Sequence, residues 1–104
     1  IDLPKMTELA TTMLHKSLNA YTNRDKELAI DVCKSDDAVD SLYSDVYHEL
    51  LEIMIKDPDT VQRATYLLWV SHDVERIADR ATNIAERVIY LVTGELSEIN
   101  ISTY

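Results

Sequence analysis

Acidic side chains recur at a four-residue spacing in two separate parts of this chain. Asp36 and Asp40 form one pair, and Glu75 and Asp79 form the other. On an α-helix, residues at i and i+4 lie about 6 Å apart on one face, where two like charges destabilise the helix by a few tenths of a kcal/mol. A multivalent cation between the pairs would remove this repulsion, because such cations accept several carboxylate oxygens at once. The spacing therefore predicts a metal site.

Two further residues lie on or near the same projected stripe. We include Glu86 as a fifth candidate ligand, whereas His72, one turn before Glu75, is either a ligand or an ordinary exposed histidine. A single acid pair would be weak support in a chain with 19 acidic residues among 104. Two pairs, each at the edge of an apolar stripe, favour the metal site. Carboxylates leave the ion open among iron, manganese, zinc and magnesium.

The composition predicts an all-α fold and limits the possible partners. One glycine and two prolines leave little material for turns or sheet corners. A formal net charge of −9 would repel phosphate backbones, so we expect no nucleic-acid partner. The single cysteine, Cys33, cannot form an internal disulfide, and no apolar run is long enough to span a bilayer. We therefore expect a cytoplasmic protein.

Breaker and capping residues divide the chain into three long helices. Pro4 begins the first, which is predicted to end near Tyr21, and a short extra helical segment is expected over residues 26–34. Ser35 is a suitable N-cap for the second long helix. Pro58 begins the third, which is predicted to end at Gly94. Short connections imply an antiparallel, up-down-up three-helix bundle, with residues 95–104 as a C-terminal tail.

The predicted third helix sorts its side chains by face. Its core side is flanked by a second apolar row, namely Val70, Ile77, Ile84 and Leu91, which indicates neighbours on a wide front. The acids lie beside this arc, whereas Arg76, Arg80 and Arg87 project to the far side. A solvated helix face would instead mix acids with bases four residues away.

Three motifs in this sequence closely resemble the PhoU family, the regulatory proteins associated with phosphate uptake in bacteria and archaea. They are E-R-I-A-D-R-A-T-N-I-A-E, the V-T-G-E that follows it, and the earlier D-D-A-V-D. The likeness extends over about residues 6–95. The acidic E/D-x-x-x-D signature, which holds a multinuclear metal cluster in some family members, matches Asp36 with Asp40 and Glu75 with Asp79.

The resemblance implies a biological role that spacing alone does not provide. It implies a non-enzymatic regulator of phosphate uptake and phosphate-starvation signalling, acting on a phosphate ABC transporter and its sensor histidine kinase. Contact with the inner face of the membrane would be only through these partners. Family members usually contain two three-helix units, so residues 1–104 resemble one unit, either the C-terminal half of a longer protein or a one-unit relative. A homodimer would restore the two-unit arrangement.

Two other functions remain open at this point. The chain could be a helical interaction module, appended to a transporter or channel regulator, whose acids bind no metal. It could also be a small metal-dependent hydrolase, although no E-x-x-H, H-E-x-x-H or glycine-rich phosphate loop occurs. We therefore expect no enzymatic activity.

Overall fold

A computed structural model describes residues 2–94 as an all-α, up-down-up three-helix bundle. The helices are α1 (Leu3–Asn23), α2 (Lys26–Lys56) and α3 (Val61–Thr93), and a 3-10 turn (Pro58–Thr60) precedes α3. The bundle measures 53 × 21 × 17 Å. The predicted fold class is confirmed, while the predicted tail at residues 95–104 lies outside the described residues.

The helix ends are set by local backbone and capping interactions. Arg24 ends α1 in the left-handed conformation, and the Asp25 carboxylate then caps α2 by accepting a hydrogen bond from the Leu28 amide at 3.1 Å. Asp57 caps the 3-10 turn in the same way, through the Asp59 amide. Gly94 ends α3 with a φ of 76°, which a residue without a Cβ adopts readily.

The extra helical segment predicted before Ser35 is wrong, because α2 is one continuous helix from Lys26 to Lys56. Ser35 does not cap a new helix. Its hydroxyl donates instead to the Asp31 carbonyl at 3.1 Å, one turn earlier, as serine does in a helix interior. No glycine or proline occurs in this region, so nothing forces the backbone to break.

The core is made of small and medium apolar side chains from all three helices. A second, smaller cluster of Val46, Leu50 and Ala64 involves only α2 and α3. α1 has 21 residues against 31 and 33 in the other two helices, so α2 and α3 extend beyond it as a helical pair. The main core comprises Met6, Ala10, Met13, Ala20, Ala29, Val32, Cys33, Val39, Val74, Ala78, Ala81, Ala85, Val88 and Ile89.

The many alanines on the inner side of α3 allow this helix to approach its neighbours closely. Ala78, Ala81 and Ala85 have no exposed surface. Close approach of α2 and α3 brings the polar residues at the edge of their seam near one another. Among residues 2–94, no helix is both long and apolar enough to cross a membrane.

Candidate metal centre

The antiparallel pairing of α2 and α3 brings the two acid pairs together. The Thr82 hydroxyl donates to the Asp36 carboxylate at 3.4 Å, and the rings of Tyr43 and His72 lie 6.3 Å apart. Residue numbers therefore increase along α2 in the direction in which they decrease along α3, as in an antiparallel pair. This register places Asp40 level with the turn that contains Glu75 and Asp79. We call Asp36, Asp40, Glu75 and Asp79 the acid cluster.

Three members of the acid cluster have carboxylate oxygens close enough to share one ion. Asp36, Asp40 and Asp79 each offer an oxygen, and these oxygens all lie within 4.8 Å of one another. Two oxygens bound to the same cation at about 2.0–2.6 Å can be at most about 5 Å apart. The separation is thus compatible with a single cation between α2 and α3. Asp36 is partly buried and Asp40 is exposed, so the site opens to solvent.

Glu75 lies close to this group of three without belonging to it. Desolvation raises the pKa of Glu75, and the negative charges of Asp79, Asp40 and Asp36 raise it further. The His72 imidazole acts against these charges and lowers the pKa. Glu75 is therefore placed to supply a fourth carboxylate or to bind a second ion beside the first.

The pKa values of Asp40 and Asp79 are also raised. Desolvation raises the pKa of Asp40, and the charges of Asp79 and Asp37 add to it. Desolvation likewise raises the pKa of Asp79, partly offset by His72. Within residues 2–94, none of Asp40, Glu75 and Asp79 forms a salt bridge with a basic side chain. Repelling carboxylates without a bound base favour an added cation.

Glu86 is placed differently from the other candidate ligands. It lies about two turns beyond Asp79 on α3 and is 2% exposed, whereas the group of three oxygens does not include it. Its charge acts on the Cys33 thiol of α2. Burial raises the pKa of the Cys33 thiol to about 11, and the charges of Glu86 and Asp36 contribute to this rise. The thiol is accordingly protonated at neutral pH, and Glu86 remains a candidate ligand only for an ion deeper in the seam.

Sequence reasoning did not place Cys33 next to the acids of this seam. Cys33 precedes Asp36 by three residues and lies fully buried beneath it, a proximity that the helical spacing could have revealed. The Asn83 side-chain oxygen is buried and accepts no hydrogen bond from a described residue. Thr82 was on the predicted polar stripe, but the single-helix projection could not show its bond to α2.

His72 and Tyr43 lie at the open end of the acid cluster. His72 is exposed, and its ring is tilted by 48° to that of Tyr43. Desolvation raises the pKa of the Tyr43 hydroxyl, with further contributions from Glu75 and Tyr47. His72 is near enough to Glu75 and Asp79 to act on both electrostatically. It is not part of the group of three residues whose ligand atoms lie within 4.8 Å of one another, so its role as a ligand stays a prediction.

Comparison with known proteins gives the family of this chain. A family model described as the PhoU domain matches residues 3–88. A phosphate-specific transport system accessory protein PhoU homolog from Clostridium acetobutylicum is 46% identical over 89 residues, which are 86% of this chain and 41% of that protein. A homolog with the same name from Rhizobium meliloti is 38% identical over 92 residues, 88% of this chain and 39% of the relative.

A third relative extends the same pattern. PhoU homolog 2 from Thermotoga maritima, again a phosphate-specific transport system accessory protein, is 40% identical over 94 residues, covering 90% of this chain and 40% of the relative. The chain thus spans about two fifths of the length of these relatives. Their names describe accessory proteins of transport, in agreement with the expectation that the family is regulatory and not enzymatic. From the domain match over most of its length and from these identities, the chain belongs to the PhoU domain family.

Proposed function

We propose that this chain is a cation-binding regulatory domain that acts in phosphate uptake. The observation that supports the cation site is the meeting of three carboxylate oxygens from two helices within 4.8 Å. The relatives that are accessory proteins of phosphate-specific transport support the biological role. We further propose that the domain acts on a phosphate ABC transporter and its sensor histidine kinase, the partners that the resemblance in the sequence implies. It would work at the cytoplasmic face of the membrane, as a homodimer or beside a second unit.

The donor set fits a hard or borderline divalent cation. Asp36 and Asp40 would bind from α2, while Asp79 would bind from α3 and Glu75 would complete the shell. Such a cation would cancel the repulsion between the helices and hold the α2/α3 seam in one geometry. Carboxylate oxygens suit magnesium, manganese and iron. Zinc is also compatible if the exposed His72 joins the site.

Cation binding would make the α2/α3 pair a regulated surface. The ionised acid cluster repels a negatively charged partner when no cation is bound; one divalent ion would halve its negative charge, and two would neutralise it. The charge of the seam, and with it the set of partners that the domain accepts, would then depend on the cation. Regulation of a transporter by an accessory domain requires some such change of surface.

The cation proposal is tested by thermal unfolding of protein treated with chelator and then supplied with manganese, magnesium, zinc or ferrous iron. A ligand at one hundred times its Kd stabilises the folded state by about 2.7 kcal/mol, equivalent to a rise in Tm of roughly 10–20 °C for a domain of this size. We expect Asp79→Asn to abolish most of the rise. Asp45→Asn is the matched control, because Asp45 lies half a turn around α2 from Asp36.

Two results would contradict the cation proposal. One is the absence of any rise in Tm with all four metals. The other is an equal rise in the wild type and in Asp79→Asn, since the ion would then bind elsewhere. Either result would favour the alternative, a helical interaction module that binds no metal.

The role in phosphate uptake is tested separately in cells. Phosphate uptake is measured with radiolabelled phosphate under scarce and abundant phosphate, with Asp79→Asn or Asp45→Asn introduced into the chromosomal gene. We expect Asp79→Asn to abolish the difference in uptake between the two conditions, and Asp45→Asn to retain it. Normal regulation in cells that lack the gene altogether would refute the regulatory role.

A further inference from the structure

The outward face of α3 has a largely exposed apolar stripe, of which Ile84 is partly buried beside α1. Val70, Ile77, Ile84 and Leu91 recur at seven-residue intervals along it. Val70, Ile77 and Leu91 are 46%, 42% and 53% exposed, whereas apolar residues on the inner side of the same helix are buried. We call this set, together with Tyr66 and Trp69 at its beginning, the outer stripe. Tyr66 and Trp69 pack edge to face at 5.6 Å and are both more than half exposed.

A row of basic residues borders the outer stripe on one side. Arg76, Arg80 and Arg87 are exposed, and none of them forms a salt bridge with another residue in the described range of 2–94. Asp73 is the acid in the same sector. The chain as a whole has a formal net charge of −9, so this local excess of positive charge stands out against the rest of the surface.

The outer stripe continues into an open groove between α1 and α3. Leu18 and Tyr21 of α1 and Ile84 and Arg87 of α3 line this groove, which has a volume of about 230 Å³. Leu18 and Tyr21 are each half exposed. The surface is therefore an apolar stripe with a basic edge, extending about 38 Å from Tyr66 to Leu91 at 1.5 Å per residue, with the groove beside Ile84 and Arg87.

We propose that the outer stripe is a docking site for an acidic amphipathic helix of a partner protein. A heptad spacing of apolar residues is the pattern by which one helix packs along another, with each side chain fitting between those of its neighbour. Glutamates or aspartates beside the apolar residues of such a helix would pair with Arg76, Arg80 and Arg87. Helix-in-groove recognition of this kind depends on regularly spaced apolar anchors.

The charges favour an acidic helix over a second copy of this chain. Two copies packed antiparallel through α3 would place one arginine row against the other, and each copy adds a net charge of −9. They also favour a helix over an anionic membrane. An anionic membrane is flat and would also meet, and be repelled by, the wider acidic surface of the domain. A helix along the outer stripe would instead lie within a Debye length, about 8–10 Å, of the arginines.

This surface is separate from the acid cluster on the same helix. Ile77 and Asp79 are two residues apart and so project about 200° from each other around α3. A cation in the acid cluster does not contact the outer stripe. The docking proposal and the cation proposal can therefore fail independently.

The single tryptophan of the chain provides the readout for a test. Trp69 is 61% exposed, so burial under a docked helix would shift its fluorescence emission to shorter wavelength. The probe is a stapled helical peptide of about 28 residues, matched to the length of the stripe. It has leucine at the a and d positions, glutamate at e and g, and no aromatic residue. A second peptide replaces every glutamate by lysine, and a third has the first sequence scrambled.

We expect saturable binding of the glutamate peptide and at least about tenfold weaker binding of the lysine peptide, since like charges would then oppose the arginines. Arg80→Glu should weaken the glutamate peptide by about tenfold, and Ile77→Ser should do the same. Lys34→Glu and Ile55→Ser change an exposed base and an exposed apolar residue on α2 and should leave binding unchanged. Circular dichroism melts verify that each variant is folded.

Four results would overturn the proposal. The first is no shift of Trp69 emission with the glutamate peptide, and the second is equal binding of the glutamate and lysine peptides. The third is a dilution-dependent shift without peptide, which would identify a second copy as the occupant. The fourth is a shift with vesicles of phosphatidylglycerol and phosphatidylcholine but none with peptide, which would identify a membrane.

Discussion

The acid cluster and the outer stripe lie on opposite sides of one helix and have opposite properties. On the side of α3 that faces α2, carboxylates meet carboxylates across a seam in which small core residues bring the helices close. On the outward side, apolar residues and arginines lie side by side and are largely exposed, with α1 beside Ile84 and Arg87. Of the ten Lys and Arg residues in the chain, three border the outer stripe, and within residues 2–94 no Lys or Arg forms a salt bridge with Asp40, Glu75 or Asp79.

Acids and arginines lie on different faces of α3. This separation distinguishes the interactions that the folded domain makes by itself from those that need a bound partner. Arg76 lies three residues from both Asp73 and Asp79, a spacing at which an ion pair gives a few tenths of a kcal/mol, yet it forms a salt bridge with neither acid among residues 2–94. α3 instead keeps repelling carboxylates together and leaves its arginines without described partners. Both arrangements become favourable when something else binds, a cation in the seam and a negatively charged helix on the outside. The apolar core of the bundle, in contrast, is formed by residues within 2–94 and needs no bound partner.

The largest expected effect comes from comparing equal substitutions on the inner and outer sides of α3. Ile89 is 4% exposed and Ile77 is 42% exposed. We expect Ile89→Ala to lower the free energy of unfolding by about 2–5 kcal/mol, because it leaves a cavity in the core. Ile77→Ala should change it by no more than about 0.5 kcal/mol. Urea denaturation measures both.

A large loss of stability in Ile77→Ala would show that the outer stripe is already packed in the free domain. The docking surface would then not exist as an exposed feature. A small loss in Ile89→Ala would instead show that the inner side of α3 is loosely packed, and the geometry of the acid cluster would lose its support.

The second effect is the pH dependence of the metal-free protein. Asp40, Glu75 and Asp79 have raised pKa values in the folded state, so between the ordinary carboxyl value of about 4 and the raised values the folded state binds more protons than the unfolded state. Stability from these groups is therefore greatest at low pH and falls as pH rises through that window. We expect a higher urea midpoint at pH 5 than at pH 7 in the presence of a chelator.

Other titrating groups also contribute to this profile, so the comparison must isolate the acid cluster. The double variant Asp40→Asn/Asp79→Asn removes two of the three shifted groups, and the gain on going from pH 7 to pH 5 should shrink in it. If the variant and the wild type gain equally, the carboxylates of the seam do not repel one another in solution. The cation site would then lack its electrostatic basis.

The sequence was sufficient to predict three long helices and the meeting of the acids, although not every helix boundary. Gly94 ends the third helix as predicted, whereas Asp57 and Pro58, expected to begin it, begin a 3-10 turn, and α3 starts three residues later at Val61. Asp36 and Asp79 could be predicted to approach because short connections force neighbouring helices to be antiparallel. These features depend on local chemistry and on simple topology.

Other features depend on packing that a single projected helix does not show. Ser35 was expected to begin a helix, yet its hydroxyl can bond within one equally well, and only the surrounding core favours the continuous α2. Glu86 projects beside Asp79, but the close packing around Cys33 buries it away from the group of three oxygens. The broad apolar arc of α3 predicted neighbours on a wide front. The structure covers only its inner half.

The smallest expected effect separates repulsion within one helix from repulsion between two helices. Asp40 lies near Asp36 and Asp37 on α2 and near Asp79 across the seam, whereas Asp45 has an acidic neighbour, Glu49, one turn away on its own helix. In metal-free protein, we expect Asp40→Asn to stabilise the fold by a few tenths of a kcal/mol more than Asp45→Asn, or roughly 1–3 °C in Tm.

Salt at 1 M shortens the Debye length to about 3 Å and should remove most of this difference. Equal effects of the two substitutions, or a difference that persists in high salt, would mean that α3 adds no negative charge at Asp40. Because no metal is present, this comparison tests the repulsion itself, on which the cation proposal depends.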